Sequence, residues 1–160
     1  MRNFTQIISN MNITDVIPGI GLGNLKFGSS RALVQKEIGN PTEIEKYALD
    51  DDDDDVTEAW HYDEDGLSIS FDQEHDYVLS SIAISDEKYT LKGNTIIGLS
   101  KKEVDELFAK NNWGKLQEDE EEPNLFYVDD ISCSLFFEEG ICSELQLSPY
   151  IVNNEFAWPK

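Results

Sequence analysis

The chain has 160 residues, with 33 acidic against 12 basic side chains and a formal net charge of −21. A field of that sign repels the phosphates of nucleic acid, which need Lys and Arg to displace counterions. It equally repels an anionic membrane surface, and it steers a basic protein inward. Eight Phe, six Tyr and three Trp argue against a disordered polyanion and suffice for one ordinary core.

The N-terminal segment, residues 1–18, lacks the apolar stretch of a secretory leader, and no later run approaches the ~18 apolar residues of a spanning helix. Only Cys133 and Cys142 are present, in no metal spacing. The expected location is cytoplasmic. The run GIGLG, residues 19–23, is not G-x-G-x-x-G, and no strand-to-helix nucleotide unit surrounds it.

An internal repeat organises the rest. GNLKFGSSRALV (23–34) aligns with GNTIIGLSKKEV (93–104) at an offset of 70, matching Gly, Asn, Gly, Ser and Val. In each copy an extended stretch ends in glycine, and Ser30 or Ser100 stands where a helix N-cap is wanted. In the second, Ser100 and Glu103 form a capping box. Val34 and Ile38 line one side of the first helix, Val104, Leu107 and Phe108 one side of the second. The first helix stops at GNP, residues 39–41.

An acidic loop follows each helix. In the first copy it is Asp50, Asp51, Asp52, Asp53, Asp54 and Asp55; in the second it is Glu118, Asp119, Glu120, Glu121 and Glu122. Counted from Asp51 a calcium-binding loop would need its glutamate at Tyr62, and counted from Asp53 it finds Glu64 but no glycine at position six, which leaves at most a weak surface cation. A solvated linker explains one such run, but its recurrence at an equivalent place favours recruitment of a cationic partner.

Three strand-like runs then complete each copy. They are 58–62, 67–71 and 78–85 in the first, and 125–128, 131–137 and 141–148 in the second, as the offset drifts to 65, 64 and 63. The expected fold is α+β: two tandem repeats, each a short helix plus a three-stranded antiparallel meander, with the helices on one face of the sheet. The boundaries are 19–87 for the first repeat, 88–149 for the second and 150–160 for a tail. Period-two alternation puts Trp60, Tyr62, Leu67, Ile69, Phe71, Ile82 and Ile84 on the core side, with Leu125, Tyr127, Ile131, Cys133, Leu135, Phe137, Leu145 and Leu147. The other face carries His61, Ser68, Ser70, Ser81 and Ala83, with Phe126, Ser132, Ser134, Phe136, Glu144 and Gln146.

The pattern GIGLGNLKFGSS…V…IGNP…EAWHYDEDGLSISFD…LSSIAIS resembles bacterial proteins of the β-lactamase-inhibitor-protein fold and the SmpA/OmlA-type lipoprotein of outer-membrane barrel assembly. It is also similar to immunity proteins of bacterial toxin systems. The resemblance covers roughly residues 19–149 and implies units of helix plus small meander that bind proteins through the sheet face.

No nucleophilic catalytic constellation is read from the sequence; with 33 carboxylates a hydrolytic acid pair stays open by count, and no enzyme is expected. Cys133 falls on the core side, Cys142 has the opposite parity, and no Ser-His-Asp pattern occurs. No cofactor is implied. Trp60 reads as core and Trp113 as the close of the second helix. Trp158 either folds back on the body or docks a partner. The expected function is a non-enzymatic inhibitor, an immunity protein that occludes a basic toxin or effector domain, a nuclease being one fit. Its contacts would be the acidic loops, His61, Ser68, Ser70, Phe126, Phe136 and Glu144. A scaffolding module of the barrel-assembly type and a weak cation-binding domain are the alternatives.

Overall fold

A computed structural model describes residues 14–48 and 55–160. Strands are numbered in chain order. A small five-stranded sheet opens the fold with β1 (Asp15–Ile17), β2 (Gly21–Leu22) and β3 (Leu25–Lys26), and is completed by β8 (Thr90–Leu91) and β9 (Asn94–Thr95), in the order β3-β2-β1-β8-β9. The parallel pairing of β1 with β8 brings residues 15 and 90 together. Asp15 clamps it, accepting from the Thr90 hydroxyl at 2.7 Å and the Gly93 amide at 2.8 Å.

Helices α1 (Arg31–Ile38) and α2 (Lys101–Lys110) each follow an extended serine. Ser30 Oγ accepts from the Leu33 amide at 3.1 Å and Ser100 Oγ from the Glu103 amide at 3.2 Å. Glu103 Oε1 in turn accepts from the Ser100 amide at 3.0 Å, which closes the capping box and holds its carboxyl below the usual glutamate range. Helix α1 ends at Gly39, whose positive φ of 83° suits glycine. Val34, Val104 and Phe108 carry both helices into one core.

The main sheet has eight antiparallel strands. One half is β4 (Glu43–Ala48), β5 (Val56–Tyr62), β6 (Leu67–Asp72) and β7 (Val78–Ile84). The other is β10 (Gln117–Glu118), β11 (Leu125–Val128), β12 (Cys133–Glu138) and β13 (Ile141–Leu147). The halves join where β13 pairs with β7, Leu145 opposite Ile84 and Leu147 opposite Ile82. Alternation along β6 and β12 buries Leu67, Ile69, Phe71, Cys133, Leu135 and Phe137, and these pack with the helices and the small sheet as one cluster. Each large side chain so buried stabilises by roughly 1.5–3 kcal/mol.

The expected fold class is overturned. The molecule is mostly β, with two helices among the described residues, and it is not two repeats of a helix plus a three-stranded meander. Each half of the main sheet holds four strands, the five-stranded sheet is separate, and a hairpin of β14 (Tyr150–Val152) and β15 (Glu155–Ala157) closes the chain. The extra strands escape a reading by alternation because β4, EIEKYA, is an edge strand exposed at every position, and β10 has two residues.

Both halves also carry a bulge that alternation cannot foresee. Ser70 faces Ser81 but Phe71 faces Leu79, leaving Ser80 extra; Phe136 faces Glu144 but Phe137 faces Cys142, leaving Ser143 extra. Each extra serine donates across the ladder, Ser80 to the Ser70 carbonyl and Ser143 to the Phe136 carbonyl. The bulge turns the strand end onto the segment before the helix. The Leu79 amide donates to Ser29 O and the Cys142 amide to Leu99 O, both at 2.8 Å. It also reverses the parity of Cys142, which is buried rather than outward. Both cysteines are free, and burial pushes each thiol up to about 12.

Candidate protein-binding face

Helices and small sheet share the core side of the main sheet, so among the described residues its other face is turned outward. Register fixes what that face presents. Glu43 stands opposite His61, Glu45 opposite Ala59 and Tyr47 opposite Thr57; His61 and Ala59 stand opposite Ser68 and Ser70; Ser68 and Ser70 stand opposite Ala83 and Ser81. Across the join, Gln146 meets Ala83 and Ser134, Glu144 meets Phe136, and Tyr127 meets Ser134. None of these residues is a lysine or an arginine.

The centre is low in relief. Ser68, Ser70, Ser81, Ala83 and Ser134 are half-buried between their neighbours, and a hydrogen-bonded network fixes the rest. His61 bridges Ser68 Oγ at 2.8 Å from Nδ1 and Glu45 Oε1 at 3.1 Å from Nε2. Gln146 donates to Ser81 Oγ at 2.9 Å. Asp72 accepts from the Thr57 hydroxyl at 2.8 Å and the Ser80 hydroxyl at 3.0 Å. Partial desolvation against its neighbours, then the carboxylates of Asp72 and Glu45, raise the Tyr47 phenol above its ordinary value. Partial desolvation likewise raises the Glu144 carboxyl.

The second acidic loop is a built turn rather than a uniform cluster. Asp119 accepts from the Glu121 and Glu122 amides at 3.1 and 2.7 Å, and its own amide donates to Leu125 O at 2.8 Å. Those amides, Glu122 first, hold the Asp119 carboxyl below the usual aspartate range. Asp119 is therefore an anchor. Glu120, Glu121 and Glu122 are exposed, and Glu118 sits in β10 opposite Phe126.

The expected contacts thus divide. His61, Ser68, Ser70, Phe136 and Glu144 share the outward face. Phe126 does not: it stands opposite Leu135, packs edge-on against Phe137 at 5.5 Å, and belongs to the core side, while Tyr127 faces outward. Strand β11 is short and half-covered, so its four apolar side chains give no alternation to read. Ser132 is also displaced, ending a short turn at φ 52° with its hydroxyl on Pro149 O. Asp50 to Asp54 lie outside the described residues; Asp55 is half-buried just before β5. Glu43, Glu45 and Tyr47 were missed, for want of any strand signal in β4.

The tail folds back. Asn153 and Asn154, both at positive φ, make the two-residue turn of the terminal hairpin. Phe156 stacks on His75 with ring centroids 4.9 Å apart, Trp158 meets the same ring edge-on at 5.5 Å, and Lys26 donates to Lys160 O at 3.0 Å.

Among the described residues no helix is long and apolar enough to cross a membrane, and no group of three or more His, Cys, Asp or Glu is placed to hold a metal ion. No protein-family model and no curated protein matches the chain. Among solved structures, a DUF4309 family protein, YjgB, from Bacillus subtilis subsp. subtilis str. 168, is similar over 82% of this chain and 88% of that chain, at 14% identity and a TM-score of 0.45.

Proposed function

We propose that the chain is a protein-binding inhibitor of the immunity-protein kind, which acts in the cytoplasm and occludes a basic toxin or effector domain with the outward face of its main sheet. The observation that carries this reading is the composition of that face. Hydroxyls, Tyr47, Tyr127 and Phe136 present a broad surface on which, among the described residues, every formal charge is negative. A toxin that grips phosphates displays Lys and Arg, and an acidic inhibitor competes for those groups directly. Exposed carboxylates such as Glu120, Glu121 and Glu122 chiefly set the association rate and its salt dependence, whereas the aromatics, buried on contact, set dissociation. The role expected of Phe126 therefore passes to Phe136 and Tyr127.

The test is capture from bacterial lysate at physiological salt, with an acidic protein of matched charge as control, followed by assay of the captured activity. A single basic protein, retained here alone and inhibited stoichiometrically, supports the reading. A mixed set of basic proteins, shared with the control and shed by moderate salt, overturns it.

A further inference from the structure

The two edges of the main sheet are not alike. At one end β10 is two residues long and runs into the turn that Asp119 anchors. At the other, β4 runs for six residues in unbroken register with β5, from Glu43 opposite His61 to Ala48 opposite Val56. Among the described residues no strand flanks its far side. An antiparallel strand turns the N–H and C=O of every second residue away from its partner, so half of the β4 backbone groups point off the sheet. Folds commonly blunt such an edge with a proline, a bulge or a shortened strand. Residues 43–48 contain no proline, and the sheet's bulges fall between β6 and β7 and between β12 and β13. All six β4 residues are exposed.

The side chains of β4 say what could pair there. Glu43, Glu45 and Tyr47 continue the outward face, while Ile44, Lys46 and Ala48 stand on the core side opposite Trp60, Glu58 and Val56. The core is unfinished at that margin: Trp60 is buried, but Ile44 beside it is 49% exposed. A strand laid along β4 thus meets two carboxylates on one face and an open apolar residue on the other. A second copy of the chain fits poorly. With outward faces aligned, two β4 strands would set Glu43, Glu45 and Tyr47 against the same three residues, between bodies that each carry a charge of −21. A basic segment fits on both counts. We propose that the β4 edge takes up an extended segment of the partner as an added strand, its Lys or Arg side chains against Glu43 and Glu45 and its apolar side chains over Ile44. That the segment belongs to the inhibited protein rests on the inhibitor reading; the edge itself is tested without that protein.

The test titrates the protein with the hexapeptide KVKVKV, blocked at both ends, and follows backbone amide chemical shifts and hydrogen exchange. Two controls carry the same charge: the blocked peptide KKKVVV, which lacks alternation, and KVKVKV methylated on its two central backbone nitrogens, which interrupts pairing along either of its edges. Saturable shifts centred on residues 43–48 are expected with KVKVKV, with exchange slowed at alternate β4 amides. Both controls should bind weaker by about tenfold or more. Glu43→Gln combined with Glu45→Gln should weaken KVKVKV by about tenfold at low salt, and glutamine keeps the acceptor that Glu45 offers His61. Equal binding of the three peptides, shifts centred elsewhere, or no saturable shift up to about 10 mM overturns the proposal. The outcome is separable from the lysate capture: KVKVKV on β4 with no specific basic protein captured upholds the edge and overturns the inhibitor reading, and the converse overturns the edge alone.

Discussion

Glu58 is a buried acid in a protein crowded with acids, and two donors hold it. Arg31, the first residue of α1, makes a short ion pair with Oε2, and the Trp60 indole donates to Oε1 at 3.3 Å. The arginine also lies 4.3 Å over the Tyr77 ring. The two halves of this pair are not equivalent. Arg31→Ala strands a buried carboxylate and is expected to cost roughly 2 kcal/mol, the arginine being partly exposed. Glu58→Gln keeps an acceptor for the indole and frees an arginine that can turn to solvent, costing about 1 kcal/mol. Urea unfolding separates them, and an equal or reversed order contradicts this assignment. Glu144 carries the opposite sign. Partial desolvation raises its carboxyl although the residue stays exposed at the surface, so the charged form is mildly disfavoured in the fold, and that small loss is regained as pH falls through the raised value. Glu144→Gln is therefore expected to stabilise at neutral pH, with the gain vanishing below about pH 4. Melting at both pH values checks this; a destabilising effect at neutral pH would show that its carboxylate serves the fold.

At the scale of elements, legibility in the sequence tracked the strength of the physical signal. The capped helices were readable because Ser30, Ser100 and Glu103 satisfy amides that any helix start leaves bare. The central strands were readable because one face is buried. Strand β4 was not, because an edge strand exposed on both faces writes no alternation, and with it went Glu43, Glu45 and Tyr47 of the candidate face. Cys142 and Phe126 were misplaced by a bulge and by a four-residue strand, both of which defeat a count of two. The terminal hairpin depends on contacts far apart in sequence. At Gly19, φ +75°, a Cβ would fall 2.3 Å from the Tyr150 ring. Gly19→Ala is expected to cost about 1–3 kcal/mol and to speed hydrogen exchange at residues 150–157 while leaving the main sheet protected. Gly39→Ala, where nothing lies within 4 Å, should show only the strain of its positive φ. Matching exchange in the two variants would mean that Tyr150 does not hold the hairpin.

For the whole molecule, a net charge of −21 sets a long-range field and leaves the fold to its apolar core. What converts that field into recognition, on this account, is geometry. Two four-stranded halves joined edge to edge make one wide face, the helices and small sheet occupy the other, and Lys and Arg are kept off the first. The most direct measurement is the affinity of the captured basic partner for two variants that change charge equally. Ser70→Arg places a cation at the middle of the outward face, where the serine side chain is half-buried, and Ala32→Arg places one on the exposed side of α1. The account predicts that Ser70→Arg weakens binding by about a hundredfold or more, through both repulsion and blocked contact, with Ala32→Arg close to the parent. Equal losses from the two variants would mean that the partner responds to net charge alone, and would contradict a binding face on the sheet.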